Sequence, residues 1–140
     1  MSILTRTGRS LTCILRFPTL VFLVNIFLDR GGVYVSVPWL DMPMHFAGGA
    51  SIAIAGMSFL ALLQKYGFMR VLPLPLWIFL IVSFVGLAAV SWELWEFSMD
   101  LVLKGHFQRD LFDTMTDMFF GLLGGLVASI ALRLQQRSLR

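Results

Sequence analysis

Carboxylates fall in closely spaced pairs in the second half of the chain, and a histidine opens one of its apolar runs. Glu93-x-x-Glu96 and Asp113-x-x-x-Asp117 each put two acids on one helix face. His45 adds a nitrogen donor. Acids that converge in a poorly hydrated site must be protonated, paired with Arg or Lys, or bound to a metal ion. A histidine with Asp and Glu from facing helices is the ligand chemistry of metal–carboxylate bundles. The expected metal set is therefore His45, Glu93, Glu96, Asp113 and Asp117, with Asp41, Asp100 and Arg109 around it. Mixed nitrogen and oxygen donors suit Zn, Mn or Fe, and an oxygen-only subset suits Mg or Ca. In an enzyme this chemistry is metal-assisted hydrolysis or transfer, with Glu93 or Glu96 as general base. No oxyanion-donor set and no serine in a nucleophile context accompanies it, so the residues leave catalysis open.

The elements that must position these residues are apolar. Of 140 residues, 58% are hydrophobic and 14% charged, with a mean hydropathy of +0.83. That composition excludes an ordinary soluble domain and points to one integral membrane domain over residues 1–140. The net charge of +3 is scattered over short segments with no continuous basic face, so nucleic acid is not an expected partner; the lipid bilayer is. Cys13 is the single cysteine, which excludes a disulfide framework and a thiolate metal site. Arg6, Arg9 and Arg16 precede an apolar run with no small-x-small cleavage site, which reads as a retained anchor.

Four spans are expected, at about 11–28, 44–63, 74–99 and 111–132, each near the ~20 residues that cross a bilayer. The first is the most polar, with Arg16, Pro18 and Asn25. Threading the spans sends Arg6, Arg9, Arg16, Lys65, Arg70, Arg133, Arg137 and Arg140 to one face and all eight acids to the other. Retention of basic residues in the cytoplasm then puts both termini there, and the acidic loops outside. The fold class expected is all-α: a polytopic four-transmembrane-helix bundle in a bacterial inner membrane. Depth can be read too. At about 1.5 Å per helical residue, His45 stands roughly 30 Å from Lys65, Glu93 roughly 30 Å from Pro73, and Asp117 roughly 24 Å from Arg133. The three converge at one edge of the hydrocarbon. Each continues into a stripe of small residues, His45 to Gly49 and Gly56, Glu93 to Ala89 and Gly86, Asp117 to Gly121 and Gly125. Such stripes face neighbouring helices, so the polar groups point inward.

Plainer roles stand beside these. Asp41, ahead of Met42-Pro43, suits an N-cap. His45 suits an interfacial histidine, and Glu93 and Glu96, flanked by Trp92 and Trp95, suit a solvated interfacial pair. Asp110 and Asp113 suit a helix N-terminus by the dipole alone. Lys104 and Arg109 could neutralise two acids and leave no metal. His106 reads as exposed in a loop, and a haem is set aside.

Asp41-Met-Pro-Met-His45, Trp92-Glu93-Leu-Trp95-Glu96, and Asp113-x-x-x-Asp117 followed by Gly121 and Gly124 resemble the YjdF-like small bacterial inner-membrane proteins over about residues 38–130. They are more distantly similar to VanZ-like proteins, from which Asp117 departs by standing where an Asn is usual, and Gly121 by lying one residue later. The resemblance implies a shared polar site without naming a reaction. On the VanZ side it implies envelope lipids or their phosphate-bearing headgroups. Two rivals remain: a proton- or cation-coupled transporter or accessory subunit, and a membrane scaffold whose acids form a structural salt-bridge layer.

Overall fold

The computed structural model describes the backbone of residues 3–104 and 107–138, and side chains within 14–104 and 107–134. Among these residues every regular element is helical: α1 (Ile3–Arg30), a single turn α2 (Val33–Ser36), a 3-10 turn (Pro38–Leu40), α3 (Asp41–Lys65), α4 (Leu74–Leu103) and α5 (Leu111–Ser138). Arg6, Arg9, Cys13, His106, Arg137 and Arg140, named above, lie outside the described side chains. Three helical segments among the described residues are long and apolar enough to cross a membrane: Pro38–Lys65, Leu74–Leu103 and Leu111–Leu134. They contain the second, third and fourth expected spans. The first expected span lies inside α1, whose side chains are described only from residue 14 and which carries Pro18 in its interior.

Local chemistry explains where the helices begin and end. Gly67, at φ 77°, ends α3 in a left-handed turn: the Phe68 amide donates to the Leu63 carbonyl at 2.9 Å and the Gly67 amide to that of Gln64 at 3.1 Å. These two bonds satisfy carbonyls that the last helical turn leaves unpaired. Pro73 and Pro75 then sit at the start of α4, where a missing amide costs nothing. Lys104, at φ 51°, closes α4. Asp110 opens α5, its carboxylate accepting the Asp113 amide at 2.9 Å, so at this position the capping role is the one observed.

α3 sits centrally, packed against α1, α4 and α5. Its direct partner is α5, and the approach is close because side chains are absent where the backbones meet. A Cβ on Gly49 would fall 1.8 Å from the Gly121 carbonyl oxygen, and one on Gly124 would fall 2.0 Å from that of Phe46. A Cβ on Gly125 would instead meet the Val85 side chain of α4, at 2.8 Å. The small-residue faces do turn toward neighbouring helices. Toward the basic end the bundle fills with apolar side chains, Ala53, Met57, Leu60, Trp77, Ile81 and Val85. Trp77 is buried there beneath the Arg133 guanidinium, 5.0 Å from the ring centroid. Polar groups gather at the other end. Phe27, Phe79, Leu87, Leu101 and Phe119 are exposed on the outer surfaces of the bundle, as expected of helices solvated by hydrocarbon.

Candidate metal centre at the acidic end

Glycine contact sets the geometry of the polar end. Gly49 lies one turn after His45, and Gly121 one turn after Asp117. Where the two glycines touch, the preceding turns of α3 and α5 must also be adjacent. His45 Nε2 accordingly lies 3.7 Å from an Asp117 carboxylate oxygen and 3.5 Å from one of Asp41. One ligand atom from each of Asp41, His45 and Asp117 falls within 4.8 Å of the other two. Ligands at 2.0–2.2 Å around a tetrahedral ion stand about 3.3–3.6 Å apart, so the spacing suits a shared cation. It is long for direct hydrogen bonds.

Burial makes the arrangement costly unless it is charge-balanced. Asp117 is 4% exposed, with the His45 imidazole 3.7 Å from one of its carboxylate oxygens. A buried anion in that state carries a desolvation penalty of several kcal/mol. Arg109 supplies part of the balance from the loop before α5. Its guanidinium donates to Asp41 at 2.8 Å and lies 3.5 Å from Asp113. Asp41 is thus shared between Arg109 and His45. It is not the N-cap of α3: that position is Leu40, and no side-chain capping bond is made there.

The remaining acids of the expected set have other partners. Glu93, 6% exposed, accepts from the Gln108 side-chain amide at 3.1 Å. Glu96 accepts from the Trp92 indole at 2.8 Å. Asp113 faces Arg109. Asp100 accepts the Phe107 and Gln108 amides at 2.8 and 3.0 Å, which folds the loop back and carries Gln108 to Glu93 and Arg109 to Asp41. Of the five expected ligands, then, His45 and Asp117 stand within shared-ion distance of each other, and Asp41 joins them. Glu93, Glu96 and Asp113 belong to no such group among the described residues. Lys104 is exposed and makes no ion pair among them.

Sequence reasoning missed Gln108, Tyr34 and Asn25. Gln108 leaves no signal because its role depends on the loop conformation. The Tyr34 hydroxyl donates to the Asn25 side-chain carbonyl, tying α2 to α1. Burial first, then the carboxylates of Asp41, Asp29, Glu96 and Asp117, push the Tyr34 hydroxyl above its ordinary range and keep it protonated.

Fold and cluster together define a helical, multi-pass membrane protein with a carboxylate–histidine centre at one end of its bundle. The chain belongs to the family described as predicted membrane protein (DUF2238), whose profile matches residues 1–138. That description agrees with the membrane reading, and it carries neither the YjdF-like name nor a link to VanZ-like proteins. No curated protein and no solved structure matches the chain.

Proposed function

We propose that this protein binds a divalent cation through Asp41, His45 and Asp117, at the periplasmic end of a four-span inner-membrane bundle, and presents the ion to the polar headgroup of an envelope lipid. The observation that carries the reading is Asp117: a 4%-exposed carboxylate in the α3–α5 seam, 3.7 Å from an imidazole nitrogen that is itself 3.5 Å from a second carboxylate. Two oxygen donors and one nitrogen favour Zn, Mn or Fe over Ca. An ion held by three protein ligands keeps an open position for water or a phosphate oxygen. If the ion promotes hydrolysis or transfer, Glu96, which lines a cavity together with Asp41, would act as the base. Glu93 is engaged by Gln108 and Asp113 by Arg109, so both support the centre from outside the ligand set.

Elemental analysis of detergent-purified protein tests this directly. About one transition-metal ion per chain is expected, with most of it lost in His45→Ala. Metal-free protein that is equally stable with and without chelator would overturn the reading. The scaffold rival would then stand, supported by the Arg109–Asp41 pair at 2.8 Å. The transporter rival has less support, because below Asp117 the seam is glycine and then the apolar cluster around Ala53.

A further inference from the structure

Two chambers adjoin the centre on its α1 side. The inner one, about 380 Å³, lies between α1, α3 and α4 and is lined by Pro18, Phe22, Met44, Gly48, Ile52 and Ala88, with His45 at its acidic end. The outer one, about 390 Å³, carries the acids Asp29, Asp41 and Glu96 and a single guanidinium, Arg109. Its remaining walls include the rings of Tyr34, Trp95 and Phe107. Asn25 and Trp92 line both chambers, so they form the sill between them. Phe22 of α1 meets Trp92 of α4 edge to face, with ring centroids 5.9 Å apart. Trp92, Trp95 and Phe107 continue that wall into the outer chamber, at 5.0 and 6.0 Å between successive rings.

We infer that the two chambers together seat one membrane phospholipid with an ammonium headgroup, its chain in the inner chamber and its headgroup in the outer one. This rests on the lipid half of the proposed function and does not require the metal ion.

The inner chamber is apolar and lies between helices whose outward faces meet hydrocarbon, so its available occupant is a lipid chain. At roughly the 30 Å³ that one small group takes in a liquid, it holds on the order of ten methylenes. The outer chamber selects by charge. Three carboxylates against one guanidinium repel a purely anionic headgroup and attract a cation. Ring faces add a second attraction for ammonium that they do not offer to a hydroxyl. A primary ammonium has three N–H donors for carboxylates such as Asp29 and Glu96, which a quaternary one lacks. The lipid phosphate, one short linker away, finds its counter-charge in Arg109.

The experiment titrates full-length protein in mixed micelles, with chelator present throughout, against phosphatidylethanolamine, phosphatidylcholine and phosphatidylglycerol of identical chains, and against free phosphoethanolamine. Bound lipid is read by native mass spectrometry. Phosphatidylethanolamine should bind about tenfold tighter than phosphatidylglycerol, with phosphatidylcholine between them. Free phosphoethanolamine should bind negligibly, because it lacks the chain. Glu96→Gln should erase the ethanolamine preference, weakening phosphatidylethanolamine and tightening phosphatidylglycerol, whose repulsion it relieves. Gly48→Leu should weaken all three lipids alike, since a Cβ there meets nothing within 4 Å and the longer side chain fills the inner chamber. Ala88→Leu repeats that test from α4 if the first variant folds poorly. Equal binding of the three lipids, or unchanged binding in a folded plug variant, would mean non-selective surrounding lipid and overturn the inference. Equal binding of free phosphoethanolamine would overturn the chain half. Metal content measured on the same wild-type preparation without chelator keeps failure of the ion reading distinct from failure of this one.

Discussion

A carboxylate moved into the seam between two helices costs several kcal/mol unless a cation or a proton meets it, and Asp117 is in that position, beside His45. Asp117→Asn keeps the shape and deletes the charge. With an ion bound, the variant should lose metal occupancy and melting temperature together, and excess divalent cation should restore part of the stability by mass action. In a centre without an ion the same change relieves like-charge repulsion, and the melting temperature should rise with no response to metal or chelator. Arg109 offers a second test, because its bond to Asp41 competes with any ion for that carboxylate. Arg109→Gln should destabilise the chelated protein by about 1 kcal/mol, the scale of a part-exposed ion pair. Asp41 is then freed for the ion, so the metal-induced rise in melting temperature should grow. A smaller rise, measured by thermal unfolding with chelator and with saturating metal, would show that Arg109 helps to hold the ion's ligands instead.

Between elements, the α3–α5 crossing is the contact on which the centre depends. Gly49→Ala and Gly124→Ala each drive a methyl into a backbone carbonyl, at 1.8 and 2.0 Å. Neither backbone can yield without parting the helices, so each should cost ~3 kcal/mol or more, the upper range for overpacking. Gly48→Ala, one residue away with open space around its Cβ, should be neutral or gain up to about 1 kcal/mol from helix propensity. Denaturation in mixed micelles compares the three; equal effects at Gly48 and Gly49 would contradict the close crossing. The loop before α5 is the second dependency. Asp100→Ala removes the acceptor for two amides, so hydrogen exchange at Phe107 and Gln108 should accelerate at least tenfold, about the effect of losing 1.4 kcal/mol of protection. Gln108 and Arg109 should lose their hold on Glu93 and Asp41 in the same variant.

At the scale of the molecule, charge asymmetry between the two ends predicts orientation. Lys65, Arg70 and Arg133 stand at the end opposite Asp41, Glu96 and Asp113, and basic flanks are kept in the cytoplasm. Reporter fusions at the two termini should therefore both be active in the cytoplasm and silent in the periplasm. Activity of the N-terminal fusion alone in the periplasm would mean that α1 does not cross, leaving the three spans Pro38–Lys65, Leu74–Leu103 and Leu111–Leu134. α1 would then lie along the bundle while still carrying Asn25 to Tyr34 and Phe22 to Trp92.

What the sequence determined by itself is what depends on composition and helical period. Long apolar runs specify membrane helices, because no other single-chain segment satisfies its own backbone in hydrocarbon. A spacing of three or four places Gly49 under His45 and Gly121 under Asp117, and the rise per residue sets both near one depth. Tertiary structure alone decided which acids meet. Period and depth say nothing of how one helix is rotated against the next, or of how a loop returns. The glycine contact between α3 and α5 selected Asp117 and His45. The loop held by Asp100 then carried Arg109 to Asp41 and Gln108 to Glu93, pairings across 68 and 15 residues of chain. Asp41 therefore stands in the cluster although its sequence context suits a cap, and Glu93, Glu96 and Asp113 turn to Gln108, Trp92 and Arg109. Such pairings exist only after the helices have packed, because each depends on groups that are distant along the chain and adjacent only in the folded bundle.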